Sequence, residues 1–260
     1  MNRHDRLNAL LELVMARDGV HIDEIISELG VSAATARRDL DALAEQQLIT
    51  RTRGGAAPHP GSSDLPLRYK TARRAAEKGR IARAAAAMVH PGEVIAFNGG
   101  TTTTEVAREV ATSPELAAAR DQPVVVVTNA VNIANELTVR PHVRVVVTGG
   151  VARTQSFELI GPLAELILGE ISIDTLFLGV DAVDPDAGAA AHNEGEASIN
   201  AKLAARARRV VVVADASKLG RSAFARICGP EGIDVLLTDD SVGADLADRF
   251  DAAGIEVVRA

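Results

Sequence analysis

Apolar residues in the first sixty positions recur with the spacing of helices. Leu7, Leu10, Leu11 and Val14 fall at i, i+3, i+4 and i+7, which predicts an amphipathic helix ended by Gly19. Ile22, Ile25, Ile26 and Leu29 predict a second, shorter helix that stops at Gly30, a residue suited to a left-handed turn because it has no Cβ. Val31 then fills the space between two helices, and Ser32 can cap a third by accepting a bond from an unpaired helix N–H. In that third helix, predicted over 33–44, Ala36, Leu40 and Leu43 share the inward face. Leu48 and Ile49, followed by Arg51-Thr52-Arg53-Gly54-Gly55, predict a short β-wing.

Beyond residue 80 the pattern changes. After a helix over 78–89, short apolar runs occur at 94–97, 124–127, 143–147, 175–179, 210–214, 235–237 and 256–258. Helical stretches over 104–111, 131–137, 162–168, 198–206 and 244–253 lie between them. Strands alternating with helices predict an α/β domain with a doubly wound, mostly parallel sheet. The valine-rich runs suit strands covered on both faces. The Pro/Gly/Ser-rich stretch 58–66 reads as a linker. The segment 67–76, with Arg68, Lys70, Arg73 and Arg74, reads as a basic connection. The expected organisation is a winged helix-turn-helix domain over 1–57, a linker over 58–76 and an α/β domain over 77–260.

The outward face of the third helix carries Ala33, Ala34, Thr35, Arg37 and Arg38. Small residues at its start allow close approach to a groove, and Thr35 can bond a phosphate or a base. Arg37 and Arg38 can hold phosphates or read guanine with two bonds, while Arg51 and Arg53 on the wing track the backbone. Together with Ser32, these residues predict a double-stranded DNA interface whose recognition helix is 33–44. A three-helix bundle with a solvated basic face is the alternative. The run Leu29-Gly30-Val31-Ser32, then Thr35, Arg37-Arg38-Asp39-Leu40 and later Arg53-Gly54-Gly55-Ala56, resembles the N-terminal signature of the DeoR family of bacterial transcriptional regulators. The resemblance implies a winged helix followed by a sugar-phosphate-sensing domain, usually acting as a repressor of carbohydrate metabolism genes.

Composition narrows the choices. The chain of 260 residues is 47% hydrophobic but 2% aromatic with no Trp, so stacking on unpaired bases is an unfavoured binding mode. The single cysteine, Cys228, cannot form an internal disulfide, which suits a reducing compartment. The N-terminus lacks a signal-peptide pattern, and no apolar run approaches the ~18 residues of a membrane span. A cytoplasmic protein is expected. The net charge of −7 argues at first against nucleic acid. Its distribution matters more: residues 1–80 hold 13 Lys+Arg against 11 Asp+Glu, a net +2, and 81–260 hold 15 against 24, a net −9. DNA binding must then rest on local placement of arginines.

Ligands of doubly wound sheets bind beyond the carboxyl ends of the strands. The first strand is followed by Asn98-Gly99-Gly100-Thr101-Thr102-Thr103-Thr104 and a helix. Glycines permit close backbone approach, threonines offer hydroxyls, and the helix start offers N–H groups with a favourable dipole. This predicts a phosphate or carboxylate cradle. It has neither the lysine of a P-loop nor G-x-G-x-x-G, so triphosphatase and dinucleotide sites are not expected. No metal or organic cofactor is expected. Other strand ends supply Asn129, Gly150 with Arg153, Asp181, Glu196 and Lys218, cations suited to a phosphate and carboxylates or amides suited to sugar hydroxyls. For any one of them a solvated loop or a cap is an equal alternative.

These segments also resemble the DeoR effector domain, through Gly100-Thr101-Thr102-Thr103, Val127-Thr128-Asn129, Thr148-Gly149-Gly150 with Arg153, Gly161-Pro162, 174–181 and Asp215-Ala216-Ser217-Lys218. That domain is similar in fold to sugar-phosphate isomerases of the ribose-5-phosphate isomerase type, which implies a phosphorylated sugar or polyol as effector. Two departures stand out. Family members often have Asp-Ala-Gly where this chain has Asn98-Gly99-Gly100, and the loop 184–196 is unusual. A homo-oligomer, dimer or tetramer, is expected to present two recognition helices to successive grooves. The competing reading is an isomerase-like enzyme using Asp181, Glu194, Glu196 and Lys218, with an appended DNA-binding domain. A protein–protein adaptor leaves the threonine loop unexplained.

Overall fold

A computed structural model describes residues 2–17, 19–58, 67 and 74–260. The chain forms two compact units, Met1–Arg73 and Arg74–Ala260. The predicted linker beyond Pro58 and the basic residues Arg68, Lys70 and Arg73 fall outside the described residues.

The first unit runs α1 (Arg3–Ala16), β1 (Val20–His21), α2 (Ile22–Leu29), α3 (Ala33–Glu45), β2 (Ile49–Thr52) and β3 (Gly55–Pro58). Its core is the predicted stripe, with Leu10, Leu11, Val14, Ile25, Ala36, Leu40 and Leu43 buried together. Each such leucine contributes about 1.5–3 kcal/mol by leaving water. Gly30 ends α2 in the left-handed region (φ 64°), and its N–H bonds Ile26 O. His21 and Glu24 close a reciprocal capping box at the start of α2. The wing is an antiparallel ribbon in which Ile49 pairs with Pro58, so Pro58 ends a strand and does not begin the linker. The sequence pattern misses β1, which adds two residues to the ribbon's other side. That pairing explains Gly55: a Cβ there would lie 2.0 Å from Val20 O.

The second unit opens with α4 (Ala75–Ala86), β4 (Val94–Phe97), α5 (Thr101–Thr112), α6 (Pro114–Ala118), β5 (Val124–Thr128), α7 (Val131–Leu137) and β6 (Val143–Val147). A small hairpin follows, β7 (Val151–Ala152) and β8 (Leu159–Ile160), then α8 (Pro162–Glu165) and β9 (Ile173–Leu178). Next come β10 (Ala182–Asp184), β11 (Gly188–Ala191), α9 (Glu194–Ala204), β12 (Ala207–Val213), β13 (Ala225–Cys228), β14 (Val235–Thr238), α10 (Ala244–Ala252) and β15 (Glu256–Arg259).

All seven predicted strands lie in one sheet, in the order β15-β14-β12-β9-β4-β5-β6. Each neighbouring pair is parallel. One face is covered by α4, α5 and α7, through Ile81, Val106, Val110 and Ile133. The other is covered by α8, α9 and α10, through Ala164, Ile199, Leu203 and Phe250. This two-sided burial is why the strands read as unbroken valine runs. The order reverses between β4 and β9, so the crevice at their carboxyl ends is the topological switch point.

Three local expectations are corrected. The helix after β4 begins at Thr101, not at 104, because Gly100 supplies the break and three of the threonines make the first turn. The helix predicted over 198–206 begins at Glu194, capped by Asn193, whose side chain accepts from Glu196 N. The loop 184–196 holds an antiparallel pair, β10 with β11, extended by β13. Its Ala189-Ala190-Ala191 run carries no β-branched or aromatic signal, and burial of Ala189 and Ala191 against the core stabilises it instead.

Candidate functional site

The first candidate surface lies on α3 and the wing. Ser32 Oγ accepts Thr35 N–H at 3.2 Å, and the two hydroxyls stand 3.0 Å apart. Both hydroxyls therefore serve the cap. Ala33 and Thr35 are half-buried, whereas Ser32, Ala34, Arg37 and Arg38 are exposed. Arg38 Nε donates to Ala34 O on its own helix at 3.2 Å. Arg51 stands 3.4 Å from Asp41, so the wing and α3 share an ion pair, and Arg53 is exposed beside the wing turn. Asp39 points inward and accepts two bonds from Arg6, at 2.5 and 3.2 Å. That bond holds the Arg6 guanidinium above its ordinary range. The clamp ties α1 to α3 and keeps a carboxylate off the face that carries the arginines.

The second candidate site lies at the switch point. Asn98, at the end of β4, clasps Gly179 at the end of β9 in both directions. Its Nδ2 donates to Gly179 O at 2.9 Å, and Gly179 N–H donates to its Oδ1 at 2.7 Å. An ionised aspartate could not donate, so the asparagine is matched to this double bond. Gly99 N–H donates to Glu158 Oε1 at 2.6 Å. Thr103 and Thr104 hydroxyls turn back to Gly100 O, at 3.1 and 2.6 Å. They do not offer the free donors expected of a threonine-rich loop. Thr102 differs: it is 3% exposed, and its hydroxyl has no partner among the described residues. The first-turn amides of Thr101, Thr102 and Thr103 have no carbonyl one turn back to bond, and they carry the positive end of the helix dipole.

Neighbouring loops close around this turn. Asn129 is fully buried; its Nδ2 reaches Leu159 O at 3.5 Å and its Oδ1 has no partner among the described residues. Arg153 Nη1 donates to Glu196 Oε1 at 2.9 Å, with both side chains mostly buried. Asp181 Oδ2 accepts His192 N–H at 2.9 Å, and Lys218 Nζ donates to Val180 O. Gly150 serves packing: at φ 114° a Cβ would lie 2.7 Å from Ala164 Cβ on α8.

Glu158 is the residue that sequence reasoning missed. It bridges to Ala130 beside β8 and lies 2% exposed, next to Gly99, Glu196, Asp181 and Asn200. Its sequence trace is a charge inside the apolar run Phe157-Glu158-Leu159-Ile160. Burial pushes its carboxyl up to about 8, helped by the Glu196 and Asp181 carboxylates and opposed by bonds from Gly99 and Asn200. Asp239, after β14, behaves oppositely: burial raises it, but bonds from Ser241 and from Ala216 N–H outweigh that and hold it below its usual range. Among the described residues no cluster of three or more His, Cys, Asp or Glu is arranged to hold a metal ion. Nor is any described helix long and apolar enough to cross a membrane.

Comparison with known proteins matches both regions of the chain to one family. The family model for the DeoR-like helix-turn-helix domain matches residues 6–59, and that for the DeoR C terminal sensor domain matches 73–240. The HTH-type transcriptional regulator GlpR of Haloferax volcanii is 36% identical over 255 residues, covering 98% of this chain and 96% of that protein. The glycerol-3-phosphate regulon repressor of Escherichia coli (strain K12) is 31% identical over 239 residues, covering 92% of each chain. The solved ribose 5-phosphate isomerase A of Methanocaldococcus jannaschii overlaps 55% of this chain and 53% of its own, with 20% identity and a TM-score of 0.40.

Proposed function

We propose, for a chain that belongs to the DeoR family of helix-turn-helix regulators, that it is a repressor of carbohydrate metabolism genes released from operator DNA by a phosphorylated sugar or polyol. The observation that carries the reading is a division of labour within one chain. An N-capped helix exposes Arg37 and Arg38 beside a wing bearing Arg51 and Arg53, and the sheet unit buries a Thr102 hydroxyl at a helix start with no partner among the described residues. The first suits a phosphate backbone and the second a small anion.

On this reading Ser32, Ala33, Ala34, Thr35, Arg37 and Arg38 face the groove, and Arg51 and Arg53 hold the backbone. Asn98, Gly99, Gly100, Thr101, Thr102, Thr103, Asn129, Gly150, Arg153, Asp181, Glu196 and Lys218 build the effector site. Within it the amides of Thr101–Thr103 and the Thr102 hydroxyl take the phosphate. Asn98, Thr103 and Gly150 shape the loop. The working form is a cytoplasmic homo-oligomer, a dimer or tetramer. The effector acts by binding the DNA-incompetent state more tightly, with a coupling of about 1–3 kcal/mol.

The isomerase reading is the weaker one. Its carboxylate Glu196 is tied to Arg153 and its Asp181 to His192 N–H, and the named relatives above are transcriptional regulators. Multiple turnovers of a sugar phosphate would reverse this preference. The DNA reading is tested by anisotropy titration of duplex fragments from the chain's own genomic neighbourhood against salt. Four arginines per subunit in a dimer neutralise ~8 phosphates, a slope of about −7 in log K against log salt. Arg53→Ala flattens it by about 1 per subunit. An unchanged slope removes the wing from the interface.

A further inference from the structure

We propose that Glu158 is a proton-dependent gatekeeper of the effector loop: its carboxyl group holds the Gly99 amide, and a phosphate ester enters the loop only when that carboxyl is neutral. The inference rests on the effector reading above and deepens it. It makes the site proton-coupled and selects for anions that arrive with Glu158 protonated.

The geometry begins at Gly99. A Cβ at that position would lie 2.3 Å from Glu158 Cγ. The missing side chain therefore makes room for an internal carboxylate. Glu158 Oε1 takes the Gly99 N–H at 2.6 Å, two residues before the helix start whose amides suit a phosphate. Two like charges cannot share such a buried turn without strong repulsion. Independent marks of a ligand flank it: the buried Thr102 hydroxyl and the buried Oδ1 atoms of Asn129 and Asn200 lack partners among the described residues. A native fold seldom leaves several such atoms unsatisfied at one place.

Two carboxylates and an amide side chain face Glu158. Glu196 faces it from α9, with Asn200 on the same helix, and Asp181 faces it from the turn after β9. The Arg153 guanidinium is tied to Glu196, and Lys218 to Val180 O. The carboxyl titrates at about 8, pushed up by burial and by Glu196, so it is protonated at neutral pH and ionised near pH 9. The arrangement thus links anion uptake to one proton on Glu158.

The test is calorimetric titration of the full chain with sn-glycerol 3-phosphate and inorganic phosphate at pH 7 and pH 9. Phosphate monoesters are close to fully dianionic across this window, their second pKa being about 6. Wild-type protein is expected to lose roughly tenfold in affinity for sn-glycerol 3-phosphate from pH 7 to pH 9, the change in the neutral fraction of a group titrating at about 8. Glu158→Gln keeps an acceptor for Gly99 N–H and removes the charge, so its affinity should stay flat and exceed that of wild type at pH 9. A parallel fall in both proteins overturns the Glu158 inference and leaves the anion cradle standing. Failure of both proteins to bind either probe at either pH overturns the cradle, and the inference with it. Should the variant not fold, carbon-13 spectra of the wild-type glutamate carboxyls decide. One resonance titrating near 8 and perturbed by phosphate supports the proposal, and a lack of any such resonance refutes it.

Discussion

The two units spend their polar residues in opposite ways. In the winged unit the reactive groups face outward, and the inward Asp39 is neutralised by Arg6. In the sheet unit they face inward and bind one another: Asn98 with Gly179, Glu158 with Gly99, Arg153 with Glu196. A surface for a long polyanion needs charges that keep their hydration until the partner arrives and releases counterions. A pocket for a small effector needs few, fixed and dehydrated groups, because each is then worth more. The difference teaches that the outward placement of a few charges locates the first kind of site, and that unsatisfied buried atoms locate the second.

The largest expected effect breaks one side of this comparison alone. Gly55→Val places a side chain where Val20 O now lies 2.0 Å from a Cβ position. The wing cannot form, and DNA binding should be lost. The sheet unit should still show its own unfolding transition by calorimetry; its disappearance would mean that the two units do not fold separately. A smaller change removes only the outward charges. The Arg37→Ala and Arg38→Ala pair should cost about 1–3 kcal/mol of DNA affinity per arginine that reads a base. Effector affinity should be untouched, and anisotropy and calorimetry on the same variant check both halves. Smaller still is Thr102→Val in the pocket. It should weaken effector binding by roughly tenfold, in line with about 1.5 kcal/mol for a hydrogen bond to a charged group. Stability should hold or rise, because a buried unsatisfied hydroxyl is removed. A drop in melting temperature would show that this hydroxyl has an internal structural role.

Stability against pH sharpens the same contrast. Glu158 carries a folded-state pKa of about 8, above its ordinary value of 4.5. The folded state then binds more protons than the unfolded chain between those values, so stability falls as pH rises through that window and levels off above it. Glu158→Gln should lessen the fall in the sheet unit's transition and leave the winged unit's unchanged. An identical pH profile in variant and wild type would contradict the buried, neutral carboxyl.

Legibility followed sequence distance. In the winged unit the Leu10–Leu11–Val14 stripe, the Gly30 turn and the Ser32 cap each announce themselves within a few residues. The seven strands were legible because two-sided burial writes a valine run into each. The effector loop was legible as a loop but not as a set of bonds. Nothing near Asn98 foretells that Gly179, 81 residues away, takes both ends of its amide. Glu158 reaches Gly99 across 59 residues through a hairpin whose two-residue strands are too short to show a period. The β10–β11 pair was hidden for a related reason, since alanines gain strand structure from the partner they bury against.

The central claim is that one chain joins an outward grip on DNA to an inward anion pocket that loosens it. The most direct measurement is operator affinity by anisotropy, with and without saturating phosphorylated sugars and polyols, sn-glycerol 3-phosphate among them, for wild type and Thr102→Val. The account predicts that at least one phosphate ester weakens wild-type DNA binding by about 5–150-fold, and that Thr102→Val needs more of it for the same release. Tight, salt-sensitive DNA binding that no phosphate ester alters in either protein would contradict it.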